Sequence, residues 1–264
     1  MQAKQISFFK YQGAGNDFIM LDNRTNKYSY LTTSDIAQLC KRHFGIGADG
    51  LIMIESNNRD NFYMRYFNSD GSESTMCGNG GRCVALFAHH LGLFDNITTF
   101  LAIDGEHKAE LLANEQIKLK MSDCAPPLKI DKNMFTINTG SPHLVVLVDD
   151  IDMINVKSDG RELSHDTKIS NDGINVNFCQ IVENRIIIRT YERGVEDETL
   201  ACGTGSVASS IVSYCGGLIK HQKNIMVQTL GGLLTVSFDH SNIIRNVYLT
   251  GSAKKVFDGS IEIV

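Results

Sequence analysis

The sequence predicts a mixed α/β (α+β) fold built from two similar, pseudo-symmetric halves. Most of the chain consists of short segments that are rich in β-forming residues and bounded by Gly, Asn or Asp, which is typical of strands. Two longer segments each begin at a cysteine, end on glycine and carry apolar or small residues on most faces. Such helices are buried, so we expect a barrel-like, mostly antiparallel sheet around each one.

In the first half, one helix is predicted over residues 32–45, where a Thr/Ser start is followed by apolar Ile36, Leu39 and Cys40 and by a stop at Gly45. The segment ANEQ (113–116) is predicted as a hairpin turn. The strand pattern covers KQISFFKYQ (4–12), DFIMLD (17–22), LIMIES (51–56), FYMRYFN (62–68), ITTFLAI (97–103), HKAELL (107–112) and IKLKMS (117–122).

In the second half, the dipeptide EN (183–184) predicts a hairpin, and the acidic run 196–198 is predicted as a solvated loop. The strand pattern covers FTINTG (135–140), HLVVLVD (143–149), VNFCQIV (176–182), RIIIRTYE (185–192), IMVQTL (225–230), LLTVSF (233–238) and NVYLTG (246–251). The two cysteine-led helices are CGNGGRCVALFAHHLG (77–92) and CGTGSVASSIVSYCGG (202–217).

The two halves align with each other when each is counted from its cysteine. CGNG matches CGTG, Gly92 has the same offset as Gly217, and RYFNSDGSE precedes the first motif where RTYERGVEDE precedes the second. A repeat of this length predicts two similarly folded domains. We expect domain 1 to span 1–123 together with a C-terminal strand in 251–264, and domain 2 to span 124–250.

Composition narrows the class of partner. The net charge of −5 and the lack of a basic cluster disfavour nucleic acid and anionic membranes. The start of the chain lacks a signal-peptide pattern and the apolar runs are too short to span a bilayer, which predicts a cytoplasmic protein. Seven cysteines without CxxC or zinc-type spacing predict reduced thiols and no metal.

The chemistry is predicted to lie at Cys77 and Cys202. A helix N-terminus exposes unpaired N–H groups and a partial positive charge, so it binds anions and lowers a thiol pKa from about 8.5 toward roughly 3.5–7.5. If the halves face one ligand, the N–H groups of the two loops bind its carboxylate. The two sulfurs then flank the adjacent carbon, and a thiolate and a thiol on opposite faces can invert it. The remaining cysteines are predicted as small buried residues: Cys40, Cys83, Cys124, Cys179 and Cys215.

Motifs along almost the whole chain resemble those of the diaminopimelate epimerases, in the wider proline-racemase-like group. They are GAGNDF, RHFGIGADG, FNSDGSESTMCGNGGRC, GSPHLVV, GINVNF, YERGVEDETLACGTG and GSAKKVFDG. The resemblance implies two barrel-like domains, each around a central helix, with the active site in the cleft between them. It also implies a cofactor-free homodimer that interconverts LL- and meso-2,6-diaminopimelate, in lysine and peptidoglycan-precursor biosynthesis.

The resemblance also assigns residues. It makes Cys77 the proton donor and Cys202 the acceptor, with His143 and Glu192 at positions that tune the two thiols. We expect His143 to do so because histidine titrates near neutrality. The implied substrate contacts are Asn16, Asn68, Gly78, Asn79, Asn175, Glu192, Arg193, Gly203 and Thr204.

Two positions depart from the family pattern, and two other functions stay open. Gly50 stands where glutamine is common, and Ser141 stands where asparagine is usual and is retained as a substrate contact. One alternative is a racemase of proline or hydroxyproline, which Asn68, Asn175 and Arg193 disfavour because they suit a distal amino-acid end. The other is a redox protein in which the two loop cysteines form a reversible disulfide.

Overall fold

The structure is a computed structural model that describes residues 4–220 and 223–263. Its strands are β1 (Lys4–Gly13), β2 (Asn16–Asp22), β3 (Gly50–Glu55), β4 (Tyr63–Asn68), β5 (Glu73–Ser74), β6 (Ile97–Ala102), β7 (Gly105–Leu111), β8 (Gln116–Lys120), β9 (Leu128–Lys129), β10 (Met134–Asn138), β11 (Pro142–Leu147), β12 (Asn175–Val182), β13 (Arg185–Glu192), β14 (Asp197–Thr199), β15 (Ile225–Thr229), β16 (Gly232–His240), β17 (Ile244–Ser252) and β18 (Lys254–Ile263). Its α-helices are α1 (Thr33–Cys40), α2 (Gly78–His90), α3 (Val156–Ser164) and α4 (Gly203–Cys215).

The chain divides into two compact units. Unit 1 comprises Met1–Leu119 and Ser252–Val264, and unit 2 comprises Lys120–Gly251. Among the described residues, no helix is long and apolar enough to cross a membrane.

In unit 1 the strands lie in the order β18-β1-β2-β3-β4-β6-β7-β8, with the short β5 also paired to β4. All neighbours are antiparallel except β2–β3 and β4–β6. Unit 2 repeats this pattern as β9-β10-β11-β12-β13-β15-β16-β17, with β11–β12 and β13–β15 parallel. The fold class predicted from the repeat, two similar halves with mostly antiparallel sheets, is confirmed.

Each unit is organised around one buried helix. Gly78 to Ala88 of α2 are all buried, and the helix packs against β1, β2, β3, β7 and β18. The helix α4 is buried from Gly205 to Ser213 against strands of unit 2. Both helices end in the same way, on a glycine with φ of +72°, at Gly92 and Gly217. Only glycine adopts this conformation readily, so the repeat extends to the helix caps.

Some elements differ from the sequence prediction. The first helix ends at Cys40 rather than Gly45, because Lys41 is extended (ψ 114°). Helix α3 was not predicted. It is polar and contains Gly160, where a side chain would lie 2.4 Å from Cβ of Tyr191 on β13, so the glycine permits close packing. The short strands β5, β9 and β14 were also missed.

The prediction of a solvated loop at 196–198 is right for Glu196, which lies exposed in the turn, and wrong for Asp197 and Glu198, which belong to a strand. Asp197 begins β14, and both carboxylate oxygens of Glu198 accept hydrogen bonds from Arg189, at 2.6 and 2.7 Å. Glu196 accepts a hydrogen bond from the hydroxyl of Tyr191. These carboxylates fasten β14 and its turn to β13.

Candidate active site

Cys77 is the N-cap residue of α2. Its backbone is extended (φ −102°, ψ 151°), and its carbonyl accepts the first helical hydrogen bond from Gly81 N at 2.8 Å. The sulfur accepts a further hydrogen bond from Gly80 N at 3.2 Å. The thiol therefore occupies the place of a serine or aspartate cap, with its sulfur at the positive end of the helix. We call residues 77–80 the Cys77 loop.

Cys202 is the N-cap residue of α4 in the same way. Its backbone is extended (φ −114°, ψ 114°), and its carbonyl accepts from Ser206 N at 2.9 Å. Its sulfur accepts no capping hydrogen bond from the helix backbone and instead lies 3.5 Å from Oγ1 of Thr204. It is buried, whereas Cys77 is half-buried. Residues 202–205, the Cys202 loop, thus share the helical position of the Cys77 loop but surround the sulfur differently.

In unit 1 the structure brings Asn16 and Asn79 together. The amide Nδ2 of Asn79 donates to Oδ1 of Asn16 at 3.3 Å, and Nδ2 of Asn16 donates to Asp49 at 2.6 Å. Oδ1 of Asn79 accepts from Nη2 of Arg82 at 2.8 Å. Each amide is therefore held in one orientation by a charged neighbour.

Asn68 is the last residue of β4, and its side chain contacts the turn that follows. Its Nδ2 donates to Oγ of Ser72 at 3.3 Å, and on the sheet it pairs with Gly50. A side chain at Gly50 would lie 2.6 Å from the carbonyl oxygen of Phe67 and 2.7 Å from the ring of Tyr66. The space where the family commonly has glutamine is thus occupied by Tyr66.

In unit 2 the centre of the site is His143. Its Nε2 lies 2.9 Å from Oγ1 of Thr204 and 2.9 Å from Oγ of Ser141. Its Nδ1 lies 3.0 Å from Nδ2 of Asn177, whose Oδ1 accepts from the hydroxyl of Thr190. Because Asn177 presents its NH₂ group, Nδ1 is an acceptor and the ring hydrogen lies on Nε2.

The prediction that His143 titrates near neutrality is wrong. The residue is fully buried, and burial lowers its pKa to about 3, with the charge of Arg193 acting in the same direction. The imidazole is therefore neutral at physiological pH. It acts on its neighbours through the Nε2 hydrogen and not through a positive charge.

Asn175 connects the other predicted contacts of unit 2. Its Nδ2 donates to the carbonyl of Pro142 (3.1 Å) and to Oγ of Ser141 (3.4 Å), and its Oδ1 accepts from Arg193 N (3.0 Å). The guanidinium of Arg193 donates through Nη1 to the carbonyls of Asp172 and Gly173. Glu192 ends β13, and its carbonyl accepts from the two turn residues Val195 and Glu196.

The predicted residues of the two units occupy matching register positions. On β2 and β3, Phe18 pairs with Gly50, and on β11 and β12, His143 pairs with Asn175 in the same parallel arrangement. Gly50 also pairs with Asn68, the last residue of β4. Asn175 is the first residue of β12, and Glu192 is the last residue of β13. Each lies one residue beyond the last antiparallel pair of these two strands. The repeat therefore places these residues at equivalent strand ends in the two units, although in unit 1 only Asn68 among them is polar.

Three residues of these networks are not indicated by the sequence. Arg82, Asn177 and Tyr66 belong to a buried helix and two strands, where residue type alone indicates no role. The repeat offers one signal, since Asn177 and Arg82 are polar where their counterparts, Ile52 and Val207, are apolar.

Solved structures with this fold belong to two-domain proteins of the PhzF and proline-racemase-like groups. A PhzF-family phenazine biosynthesis protein from Bacillus anthracis matches with a TM-score of 0.73 and 16% identity, over 99% of each chain. A hydroxyproline epimerase from Agrobacterium vitis matches with a TM-score of 0.71 and 12% identity, over 98% of this chain and 93% of that chain. At these identities the comparison defines the class of fold.

The sequence comparisons define the family. A family model described as diaminopimelate epimerase matches residues 8–124 and 135–256. A diaminopimelate epimerase from Flavobacterium psychrophilum is 45% identical, over 97% of this chain and all of the relative. Another from Aquifex aeolicus is 41% identical, over 97% and 98%. The chain belongs to the diaminopimelate epimerase family of isomerases, which confirms the resemblance of its motifs.

Proposed function

We propose that this protein is a cofactor-independent epimerase that interconverts LL- and meso-2,6-diaminopimelate through the thiols of Cys77 and Cys202. The observation that carries the proposal is that both cysteines are N-cap residues of buried, glycine-led helices at matching places in a structural repeat. Full-length relatives of 41–45% identity that are named for this activity support the choice of substrate.

The substrate carboxylate next to the reacting carbon binds at the two helix N-termini. The N–H groups of the first helical turn lack helical partners and lie at the positive end of the helix dipole. Those of Gly78 and Asn79 serve one side of the carboxylate, and those of Gly203 and Thr204 serve the other. These groups also stabilise the negative charge that develops on the carboxylate as the C–H bond breaks.

The inversion is a two-base proton transfer. One thiolate takes the α-hydrogen as a proton, the C–H bond breaks, and its electron pair delocalises into the carboxylate. The thiol on the opposite face then donates its proton to the carbon, and the new C–H bond forms with inverted configuration. After one turnover the thiol and thiolate have exchanged places, so each cysteine acts as acid in one direction and base in the other.

His143 supports the ionised form of Cys202 through Thr204. Nε2–H of His143 donates to Oγ1 of Thr204, which leaves the threonine hydrogen available for the sulfur 3.5 Å away. A hydrogen bond to a thiolate favours the charged form. Glu192 acts as the second tuning residue and accepts from the substrate ammonium.

The distal amino-acid end of the substrate binds to polar groups of both units. Arg193 provides the guanidinium for the distal carboxylate, and Asn175, Asn68 and Ser141 provide uncharged hydrogen-bonding groups. Tyr66 takes the role of the residue that Gly50 lacks. The support for this is that its ring and hydroxyl cover Gly50, on the face of β4 where Met64 packs beside Gly80 of the Cys77 loop.

The proposal includes the biological setting implied by the family. The reaction supplies meso-diaminopimelate for lysine and peptidoglycan-precursor synthesis in the cytoplasm, and the enzyme works as a homodimer. Light scattering on the purified protein measures the oligomeric state directly.

Substrate preference and thiol dependence test the proposal. The reduced protein should convert LL-diaminopimelate to the meso form in a coupled assay and leave L-proline and hydroxyproline unchanged. Cys77→Ala and Cys202→Ala should each abolish inversion, whereas the control Cys215→Ala, at the exposed end of α4, should retain full activity. Turnover of proline, or activity in either loop variant, would contradict it. A reversible disulfide without epimerase activity would favour the redox alternative.

A further inference from the structure

Arg82 is a fully buried arginine that the proposed mechanism leaves without a role. It lies on α2, five residues after Cys77, with no exposed surface. Its Nη1 donates to the carbonyl of Gly78 at 3.1 Å, and its Nη2 donates to Oδ1 of Asn79 at 2.8 Å. Within the described residues its Nε has no hydrogen-bond partner. Burying a cation is costly unless nearby negative groups compensate, so this charge needs an anion.

The carboxylates around α2 are engaged with other groups. Asp17 on β2 pairs with Lys10 on β1 and with Arg42. At the turn between β6 and β7, Asp104 accepts from the backbone N–H of Met76 and lies 3.2 Å from the ring of His107. Among the described residues, none of these carboxylates forms an ion pair with Arg82.

Two thiols near Arg82, those of Cys77 and Cys83, would raise its pKa if they were ionised. Burial raises the pKa of Cys83 to about 12, so that thiol stays protonated. Burial also lowers the pKa of Arg82, but a guanidinium starts so high that it remains charged at physiological pH. Cys77, half-buried at the helix N-terminus, is left as the group that can carry the compensating charge.

The Cys202 loop is also held by a buried basic side chain, but that side chain is uncharged. In each loop a buried basic side chain holds the residue two places after the cysteine. Arg82 holds Asn79 at 2.8 Å, and His143 holds Thr204 at 2.9 Å. The arginine is a cation, whereas the histidine is neutral, since burial lowers its pKa to about 3.

The two supports also come from different elements. The position of His143 on β11 corresponds to Phe18 on β2, where the side chain is apolar. The position of Arg82 on α2 corresponds to Val207 on α4, five residues after the cysteine in both helices. Each loop therefore has one such support, and only the Cys77 loop receives a full positive charge from it.

We propose that Arg82 is a positioning residue that fixes the Asn79 amide and makes Cys77, rather than Cys202, the thiolate in the substrate-free enzyme. Because Oδ1 of Asn79 accepts from Arg82, its Nδ2 points toward Asn16 and the amide stays in one orientation. The inference rests on the proposed roles of the two cysteines.

Site-resolved alkylation tests it in the absence of substrate. The reduced protein is treated briefly with iodoacetamide across pH 5–10, and the labelling of each cysteine is measured by peptide mass spectrometry. In the natural sequence the apparent pKa of Cys77 should lie below about 8.5, the value of a free thiol, and below that of Cys202. Arg82→Met should raise the apparent pKa of Cys77 by about one unit or more, a tenfold loss of thiolate at neutral pH. The apparent pKa of Cys202 should stay unchanged.

Two further variants separate charge from structure. Arg82→Lys keeps the cation and should keep the Cys77 profile within about half a unit. Arg65→Met removes a partly exposed arginine of β4 that pairs with Glu73, and should leave Cys77 unchanged. An unshifted Cys77 profile in folded Arg82→Met, or equal shifts in both Arg82 variants, would overturn the proposal. If Arg82→Met does not fold, a Cys77 pKa at or above about 8.5 in the natural protein would do so.

The result is independent of whether the proposed function holds. Alkylation needs no turnover, so a Cys77 profile that depends on Arg82 can be found even if Cys77→Ala remains active. In that case the epimerase mechanism fails while the charge asymmetry stands. Normal thiol-dependent epimerisation with a Cys77 profile that does not depend on Arg82 would reject the role of Arg82 alone.

Discussion

His143 Nε2 lies 2.9 Å from the hydroxyl oxygen of Thr204, and both side chains are held at the N-terminus of α4. The histidine lies on β11 and the threonine on the helix, so this contact fixes the Cys202 loop to the sheet of unit 2. Because burial keeps the imidazole neutral, the contact is a directed hydrogen bond whose hydrogen position is set by Asn177.

The buried neutral histidine predicts a specific pH dependence of stability. The pKa of His143 is about 3 in the folded chain and near 6.5 when unfolded, so between these values only the unfolded chain binds the proton. Its contribution to stability is therefore present above pH 6.5 and is lost as the pH falls. Between pH 7 and pH 5 the loss should be about 2 kcal/mol, and His143→Gln should lack it.

Urea unfolding of both proteins at pH 7 and pH 5 measures this effect. The difference in unfolding free energy between the natural protein and His143→Gln should change by that amount. His165→Gln, which alters a half-exposed histidine after α3, serves as the control for the same substitution at the surface. If the difference in unfolding free energy between the natural protein and His143→Gln is equal at both pH values, the folded histidine takes up the proton, which would contradict this prediction.

We predict that a side chain at Gly205 lowers both stability and activity, because Gly205 lies against Asn177. A side chain at Gly205 would lie 2.2 Å from Oδ1 of Asn177 and 3.3 Å from Cβ of Cys202. Gly205→Ala should therefore lower stability by about 1–3 kcal/mol and displace the amide that orients His143. Activity should fall as well.

A double-mutant cycle with Asn177→Ala checks the cause. Asn177→Ala removes the clashing oxygen, so the alanine at Gly205 should cost much less stability in that background. The double variant should remain impaired in activity, because the histidine has lost its orienting amide. Equal costs of Gly205→Ala in both backgrounds would refute the contact as the cause.

Tyr66 is predicted to contribute to substrate binding in place of a side chain at Gly50. Tyr66→Phe removes only the hydroxyl, so KM for diaminopimelate should rise by about tenfold, as for one lost hydrogen bond, while kcat changes little. Tyr63→Phe is the matched control, because residues 63 and 66 of β4 point to opposite faces of the sheet. Steady-state kinetics with equal KM values for all three proteins would exclude this contact.

The sequence predicted most of the fold because strand patterns and turn residues are local signals. Helix α3 was missed because its apolar stripe is weak and Gly160 interrupts it, and the need for that glycine comes from Tyr191 on another element. The repeat contained the missing signal. Helix α1 lies between β2 and β3, and α3 occupies the corresponding interval between β11 and β12.

The sequence predicts those parts of the candidate site whose chemistry follows from a local motif. Cys77 and Cys202 are marked by the duplicated glycine-rich motif, and the structure places both at helix N-termini. No sequence motif indicates the roles of Arg82 and His143 in holding the two loops. The neutral state of His143 and the need of Arg82 for a compensating negative charge both follow from burial. Burial depends on which strands enclose the helix, and that information is not local.

The proposed mechanism requires two thiols on opposite faces of one carbon, and deuterium incorporation distinguishes it from a mechanism with a single base. LL-diaminopimelate is incubated in heavy water, and substrate and product are analysed by mass spectrometry at low conversion. With two bases, deuterium should appear in the first meso product, at the inverted carbon, and almost none should appear in the remaining LL substrate. Deuterium that enters the remaining substrate as fast as product forms would indicate a single exchanging base and would contradict the account.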